Sequence, residues 1–208
     1  MKNKFKVSQK RLSKHYDNLF LKYGNSPKSS QWSNNQTNNV RFSILTEGIS
    51  LGKNISILDF GCGIGSLYKF LKKKNFKGSY TGIDISKLQI LFAKQNISSK
   101  RVLFYHQNIF EKKLVKKYDY IFINGVFNNL TNNNFKVLEK TIKTLFKNCK
   151  IMMAFNNLSY YVDYYDKGLY YVKPEKIFEL CKKNISLKVK IRHDYQIKKK
   201  NLPFEFTT

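Results

Sequence analysis

The chain has 208 residues, 39 of them lysine or arginine against 13 acids, for a formal charge of +26. That length suits one sizeable core with an N-terminal extension better than several domains. No run of about 18 apolar residues occurs, so no membrane-spanning helix is expected. The start, MKNKFKVSQKRLSKHY, is basic but lacks the apolar stretch of a secretory signal. Cys62, Cys149 and Cys181 are odd in number and far apart, which fits neither a disulfide framework nor zinc-ligand spacing. A reduced, cytoplasmic setting with no bound metal is the expectation.

A charge this high ordinarily points to nucleic acid or an anionic surface. Arginine, whose fork grips phosphate and guanine, stands only at Arg11, Arg41, Arg101 and Arg192. The rest is lysine, in the company of much Asn, Ile, Phe and Tyr. That mixture reads as compositional bias giving a solvated surface. A nucleic-acid face is the alternative.

In chain order, residues 8–23 predict an amphipathic helix with Leu12, Tyr16, Leu19 and Phe20 on one side. A polar loop follows, with Gly24, Pro27 and the single tryptophan, Trp32. A second helix is expected from about Val40 to Gly48. ISILDF reads as a strand, 66–74 as a helix, SYTGIDI as a strand and 87–96 as a helix. RVLFYHQ and YDYIFING read as strands, 131–147 as a long helix and KIMMAFN as a strand. Pro174 opens a helix to about Lys183. SLKVKIRHDY and FEFT complete the list as strands with a loop between them. Strands alternating with helices imply a doubly wound α/β sheet. A loop of about eight residues between the last two strands suits an antiparallel return. The expected fold is therefore a Rossmann-like, seven-stranded sheet, mostly parallel, with one antiparallel strand near the end and a helical N-terminal extension.

The chemistry sits in ILDFGCGIGSL, where Gly61, Gly63 and Gly65 follow a strand that ends in an acid. A phosphate loop would read G-x-x-x-x-G-K-[ST], and no Lys or Thr follows Gly65. A dinucleotide loop would place its third glycine one residue later. That mismatch counts against NAD and leaves it open at this point. Asp59 at the mouth would repel a pyrophosphate and suit a cationic ligand. Asp84 ends the next strand, where a carboxylate accepts hydrogen bonds from a ribose diol.

Together these residues resemble the class I S-adenosylmethionine-dependent methyltransferases. ILDFGCGIGSL is similar to their motif I and YTGIDIS to motif II. HQNIF and YDYIFINGVF stand where the third and fourth motifs belong. The wider pattern resembles a group of small bacterial methyltransferases of mostly unassigned substrate. Tyr23, Gly24, Trp32, Arg41, Phe42 and the stretch from Gly125 to Asn128 fit that group, as does an HDY followed by F-x-F-T. The resemblance implies S-adenosylmethionine as cofactor. It implies Asp59 near the methionine ammonium, Asp84 on the ribose hydroxyls and Ile85 against adenine. Asn108 stands where an aspartate usually accepts from the adenine amine, with Ile109 beside it. Asn124 and Gly125 border the methionine end, Arg41 faces its carboxylate, and Cys62 lies in the loop as packing. Trp32, Tyr23, Phe127, Asn128 and Asn156 are the acceptor-side candidates.

Each assignment has a plainer alternative. Asp59 could cap its loop, Asp84 could cap the following helix, Arg41 could form a surface ion pair, and Trp32 could plug the core. His193, near the end of a predicted strand, is the candidate general base for a hydroxyl or amine acceptor; an ordinary half-buried or exposed histidine is the alternative. The Asn-Pro-Pro-Tyr of amino-methylating DNA enzymes and the Pro-Cys of cytosine C5 enzymes are missing. A small polar acceptor methylated on oxygen, such as a metabolite or a sugar or surface-polymer precursor, is the expectation. Residues 1–45 and the Tyr-rich stretch NNLSYYVDYYDKGLYYV are expected to cover the site, with residues 46–208 as the methyltransferase domain. An RNA methyltransferase using the lysine surface, and a non-catalytic cofactor-binding partner protein, are the competing readings. Oligomeric state is left open.

Overall fold

The structure, a computed structural model, describes residues 2–32, 34–195 and 205–208. Seven strands form the sheet: β1 Ser56–Phe60, β2 Ser79–Asp84, β3 Val102–His106, β4 Tyr118–Ile123, β5 Cys149–Ser159, β6 Tyr171–Val172 and β7 Glu205–Thr207. Six helices accompany them: α1 Lys2–Tyr23, α2 Asn35–Leu45, α3 Ser66–Lys73, α4 Lys87–Asn96, α5 Asn134–Phe146 and α6 Pro174–Asn184. A short 3-10 helix at Pro27–Ser30 joins α1 to α2. Among the described residues no helix is long and apolar enough to cross a membrane.

The strand order along the sheet is β3-β2-β1-β4-β5-β6, and every pairing on that path is parallel. The central strand β1 is buried at all five positions, as a strand covered on both faces must be. Its side chains alternate between two cores. Leu58 and Phe60 join Ile121, Ile123, Leu138, Ile142 and Ile177 beneath α5 and α6. Ile57 faces the other way, with Phe42, Leu67, Leu71, Tyr80, Ile90 and Phe104 beneath α2, α3 and α4. At the opposite end of β1 from the glycine loop, Asp119 accepts from the Ser56 N–H at 2.8 Å and from its hydroxyl at 2.6 Å. That side chain staples β1 to β4 where their backbones enter the sheet.

The expected sheet is seven-stranded with one antiparallel strand near the end; the hydrogen-bonded path itself holds six strands. The six-strand path is all parallel, and its last place is taken by β6, two residues that no sequence pattern announced. The antiparallel contribution is confined to β7, which pairs with β5 off that path at Asn156↔Thr207. The expected strand over SLKVKIRHDY does not form. Val189 and Ile191 do pack against the core, as their alternation requires. Among the described residues β7 spans three, and one bridge, from Arg192 to Thr207, joins the two segments. The loop expected before FEFT, with Phe204, lies outside the described residues.

Helix α2 starts five residues before the expected Val40. Asn34 caps it, its side chain accepting from the Thr37 N–H at 2.9 Å, a good start signal hidden in an Asn-rich loop. It stops before Gly48 because the Thr46 hydroxyl takes the Phe42 carbonyl at 2.6 Å and Gly48 turns left-handed at φ +73°.

Gly82, opposite Asp59 in β2, shows how closely the sheet and its covering layer meet. A Cβ there would lie 2.6 Å from the Phe104 ring and 2.8 Å from Cys62 Sγ, both buried. Gly82→Ala is expected to destabilise by about 1–3 kcal/mol and to lower the melting temperature by several degrees. Gly52→Ala, whose nearest neighbour is Ser50 Oγ at 3.7 Å, is the control expected to change little in the same calorimetric scan.

Candidate active site

At the carboxyl ends of β1, β2 and β4 the sheet opens into a cavity of about 320 Å³. This is the edge where open α/β sheets hold their ligands. The glycine loop forms one wall. Gly61, Gly63 and Gly65 have φ of +79°, +53° and +78°. These values suit glycine, and side chains there would also collide. A Cβ on Gly61 would stand 2.3 Å from Val126, and one on Gly63 2.7 Å from Gln89 Oε1.

Two carboxylates face the cavity from neighbouring strand ends. Asp59 is 3% exposed and accepts a short hydrogen bond from the Tyr80 hydroxyl. Burial pushes its carboxyl up to about 7; the Tyr80 bond opposes the rise and the nearby Asp84 charge adds to it. Asp84 is also raised by burial, against the backbone N–H groups that stabilise its ionised form. Its Oδ2 accepts from the Gly63 N–H and its Oδ1 from the Ser86 N–H, both at 2.8 Å. The capping alternative for Asp84 is therefore real. It does not use the side chain up, because a carboxylate has about four lone-pair sites.

Asn108, Ile109 and Ile85 line the same cavity. Asn108 Oδ1 accepts from the Phe110 N–H at 3.0 Å, holding its loop. Cys62 lines the wall too, but burial and the charges of Asp84 and Asp59 hold its thiol well up, so it packs and carries no thiolate. From β4, Asn124 and Gly125 reach the cavity. Gly125 has φ +70°, and a Cβ there would lie 2.4 Å from Trp32 Cζ2. The indole thus rests on bare backbone, with the Arg41 guanidinium 4.2 Å from its ring centroid on α2. Trp32 and Phe127 belong to the wall; Arg41 is buried beside them but is not part of it.

Several expected site residues lie elsewhere. His193 is exposed, 6.5 Å from the Tyr161 ring, and outside the cavity wall. The strand that would have carried it inward is the one that does not form. Tyr23 is held outside by Lys22 and Lys28 over its ring. Asn128 and Asn156 stand behind the wall. The Tyr-rich stretch also stays off the cavity. Tyr160, Tyr161, Tyr164 and Tyr165 are each about half exposed, and Tyr160, Tyr161 and Tyr165 cluster with Tyr171 and His193.

Other residues contribute instead. Gln9, Leu12 and Tyr16 bring α1 over the cavity, and Asn38 and Phe42 bring α2. Asp17 fastens that roof: its carboxylate accepts from the Ser86 hydroxyl at 2.6 Å and the Leu88 N–H at 3.2 Å, at the start of α4. The Ser13 hydroxyl donates to the Ile85 carbonyl at 2.7 Å. One signal was present in the sequence, since Asp17 is the only acid of α1. Among the described residues no group of three His, Cys, Asp or Glu side chains comes together as a metal site.

A glycine loop after β1, one acid on each of two neighbouring strand ends and a parallel doubly wound sheet make an α/β domain with a ligand cavity at the carboxyl edge of its strands. Comparison with known proteins narrows that class. Residues 51–200 match the family described as a methyltransferase domain. The chain is 31% identical over 158 residues to a protein of Mycobacterium tuberculosis named as a methyltransferase, spanning 73% of this chain and 90% of that one. It is 36% identical over 98 residues to the malonyl-[acyl-carrier protein] O-methyltransferase of Priestia megaterium, spanning 47% of this chain and 34% of that one. In structure it resembles magnesium protoporphyrin IX methyltransferase from Synechocystis PCC 6803, solved with bound S-adenosylmethionine. There the TM-score is 0.62 and the identity 18%, over 83% of this chain and 77% of that one. The chain belongs to the methyltransferase domain family, and it is an S-adenosylmethionine-dependent methyltransferase.

The raised carboxyl of Asp59 sets a stability test. Its pKa in the fold, about 7, lies above the ordinary aspartate value of 3.8. Between those values the unfolded chain has released a proton that the fold keeps, so this group's contribution to stability falls as pH rises. Above about 7 the loss is complete and constant. In calorimetry of cofactor-free protein, Asp59→Asn is expected to melt increasingly above the unsubstituted chain from about pH 4 to 7. The gap then levels off; a gap that does not vary with pH contradicts a carboxylic acid kept neutral by burial.

Proposed function

We propose that the cavity holds S-adenosylmethionine along the glycine loop and passes its methyl group to an oxygen of a small polar metabolite. The observation that carries this reading is the pair Asp59 and Asp84 on either side of a loop with no room for side chains. Bare backbone lets a ligand lie flat against the loop. Asp59 receives the ammonium, Asp84 the ribose diol, Ile85 and Ile109 the adenine faces, and Asn108 the adenine amine. Asn124 and Gly125 border the methionine end. The cofactor supplies a methyl group on a sulfonium, from which a neutral thioether leaves.

The protein's part is to hold, orient and keep water out. Residues 1–45 serve as the roof, because Leu12, Tyr16, Trp32 and Asn38 face the cavity from that segment. A roof built from the chain itself over about 320 Å³ supports a small acceptor over a polymer. Oxygen as the acceptor atom is supported by the O-methyltransferase among the relatives.

Cofactor binding tests the reading through Asp59. An ammonium beside it favours the ionised carboxylate, so binding is linked to loss of its proton. With the empty-site value at about 7, affinity for S-adenosylmethionine should be about tenfold greater at pH 8 than at pH 6. Isothermal titration at both pH values measures this. Asp59→Asn is expected to bind weakly and with no such dependence. A full-strength, pH-independent affinity in that variant would remove Asp59 from the site.

A further inference from the structure

The lysines are not spread evenly over the fold. Four stretches, KKKNFKG at 72–78, SSKR at 98–101, KKLVKK at 112–117 and KNCK at 147–150, stand at the amino ends of β2, β3, β4 and β5. They hold twelve of the chain's 39 lysines and arginines and no acid. All twelve cations are exposed. The loops leaving the carboxyl ends of β1 to β4, residues 61–65, 85–86, 107–110 and 124–133, span the same number of residues in all and hold no lysine or arginine. A compositional bias raises lysine everywhere and has no means of sorting it by edge.

The fold brings the four stretches to one end. β1 and β2 start side by side at Ser56 and Ser79, β2 and β3 at Tyr80 and Val102, and β4 and β5 at Tyr118 and Cys149. The Lys77 N–H donates to the Leu51 carbonyl at 3.0 Å, the Arg101 guanidinium to the Lys53 carbonyl at 3.1 Å, and the Asn148 amide to the Lys116 carbonyl at 2.9 Å. This is the amino edge of the sheet, opposite the cavity. Among the described residues one of the twelve cations is in an ion pair, Lys150 with Asp119 at 3.3 Å. Two aliphatic side chains stand in the open beside them. Val115 is 97% exposed between two pairs of lysines, and Ile151, next to Lys150, is 61% exposed.

We propose that this edge lies against an anionic lipid surface and holds the enzyme there with its cavity turned away from the bilayer. The proposal does not depend on what the cavity methylates. A cluster of about 4–8 lysines or arginines is enough to recognise anionic headgroups, and this edge carries more. Val115 and Ile151 add apolar area that can enter the boundary between headgroups and acyl chains. The residue types speak against the other polyanions. A nucleic acid is gripped by arginine forks on phosphate and by aromatic faces on bases. The four stretches have one arginine, Arg101, turned to the Lys53 carbonyl, and one aromatic residue, Phe76, which is buried. An acidic protein would want the same aromatic and arginine anchors.

The experiment is co-sedimentation of the full chain with vesicles at about 0.15 M salt, where long-range attraction is screened within about 8 Å. One set is phosphatidylcholine alone, and the other is equal parts phosphatidylcholine and phosphatidylglycerol. At least tenfold tighter binding to the anionic set is the expected result. Equal binding to both sets, or to neither, overturns the proposal. Retention on poly(U) RNA at that salt, with both vesicle sets unbound, also overturns it and makes the edge a nucleic-acid face.

Variants separate the edge from the net charge. Replacing Lys112, Lys113, Lys116 and Lys117 together by Gln is expected to weaken binding to the anionic vesicles at least tenfold. The same replacement of Lys14, Lys87, Lys136 and Lys176, all exposed and all on other parts of the fold, removes equal charge and is expected to change it less than threefold. Equal losses in the two variants overturn the assignment to this edge. Val115→Ser leaves the packed core untouched, so its melting temperature should match that of the unsubstituted chain while vesicle affinity falls about threefold. Unchanged affinity in that variant removes Val115 from the contact and leaves a purely electrostatic one, against the proposal as stated.

Discussion

One carboxylate organises the carboxyl edge of this sheet. Asp84 takes the Gly63 N–H on one side and the Ser86 N–H on the other. It thereby fixes the glycine loop after β1 against the turn that begins α4. Ser86 then passes the restraint on, since its hydroxyl meets Asp17 of the N-terminal helix. The shape of the loop, the start of α4 and the docking of α1 share this anchor. Bonds from N–H groups to an ionised acceptor are stronger than neutral ones, at about 1.5–3 kcal/mol each. A structural cap and a ligand-binding carboxylate are often treated as rival roles. Here the cap is what holds the remaining lone pairs of Asp84 in a fixed direction.

The local field around that anchor opposes the field of the whole protein. A chain with formal charge +26 attracts anions at long range, yet the cavity sets two carboxylates close together. Burial raises both, Asp59 to about 7 with the charge of Asp84 adding to the rise, and Asp84 with the charge of Asp17 adding to it. Such a site is incomplete without a cation. S-adenosylmethionine brings two positive charges, on sulfur and on nitrogen, while its demethylated product keeps only the one on nitrogen. Lys69 lines the cavity, while the field of solvent-exposed lysines is screened within about 8 Å at physiological salt.

Much of this was legible in the sequence because it is local. A strand, three glycines and an acid occupy consecutive positions, and Asp84 follows at the end of the next strand. What was not legible depends on contacts between distant segments. Pairing of SLKVKIRHDY needed a long partner, and β7 gives three residues, so His193 never reaches the cavity. Tyr16, Asn38 and Gln89 look like ordinary polar surface residues until the N-terminal segment folds over the sheet. Hydrogen bonds run from the Gly125 N–H to Asn156 and from Asn124 to Asn38, between residues 31 and 86 positions apart, and no periodicity records them. Tyrosine spacing misled for a related reason: the segment following β5 turns outward, and its rings meet one another edge-on or tilted.

The roof itself is held by polar bonds more than by apolar burial, and this bears on how a ligand enters. Where α1 crosses the cavity it relies on Ser13 to Ile85, Asp17 to Ser86 and Leu88, and Tyr16 to Asn129, with Phe20 against Phe92 at 5.4 Å. Two of these bonds end on the Asp17 carboxylate, at about 1.5–3 kcal/mol each, and two join neutral groups, at about 1 kcal/mol each, so releasing the set costs about 5–8 kcal/mol before the aromatic contact is counted. The same bonds fall on Ile85 and Ser86, directly after Asp84. A ligand seated on Asp84 therefore steadies the turn that α1 grips, so occupation of the site and closure of its roof favour one another.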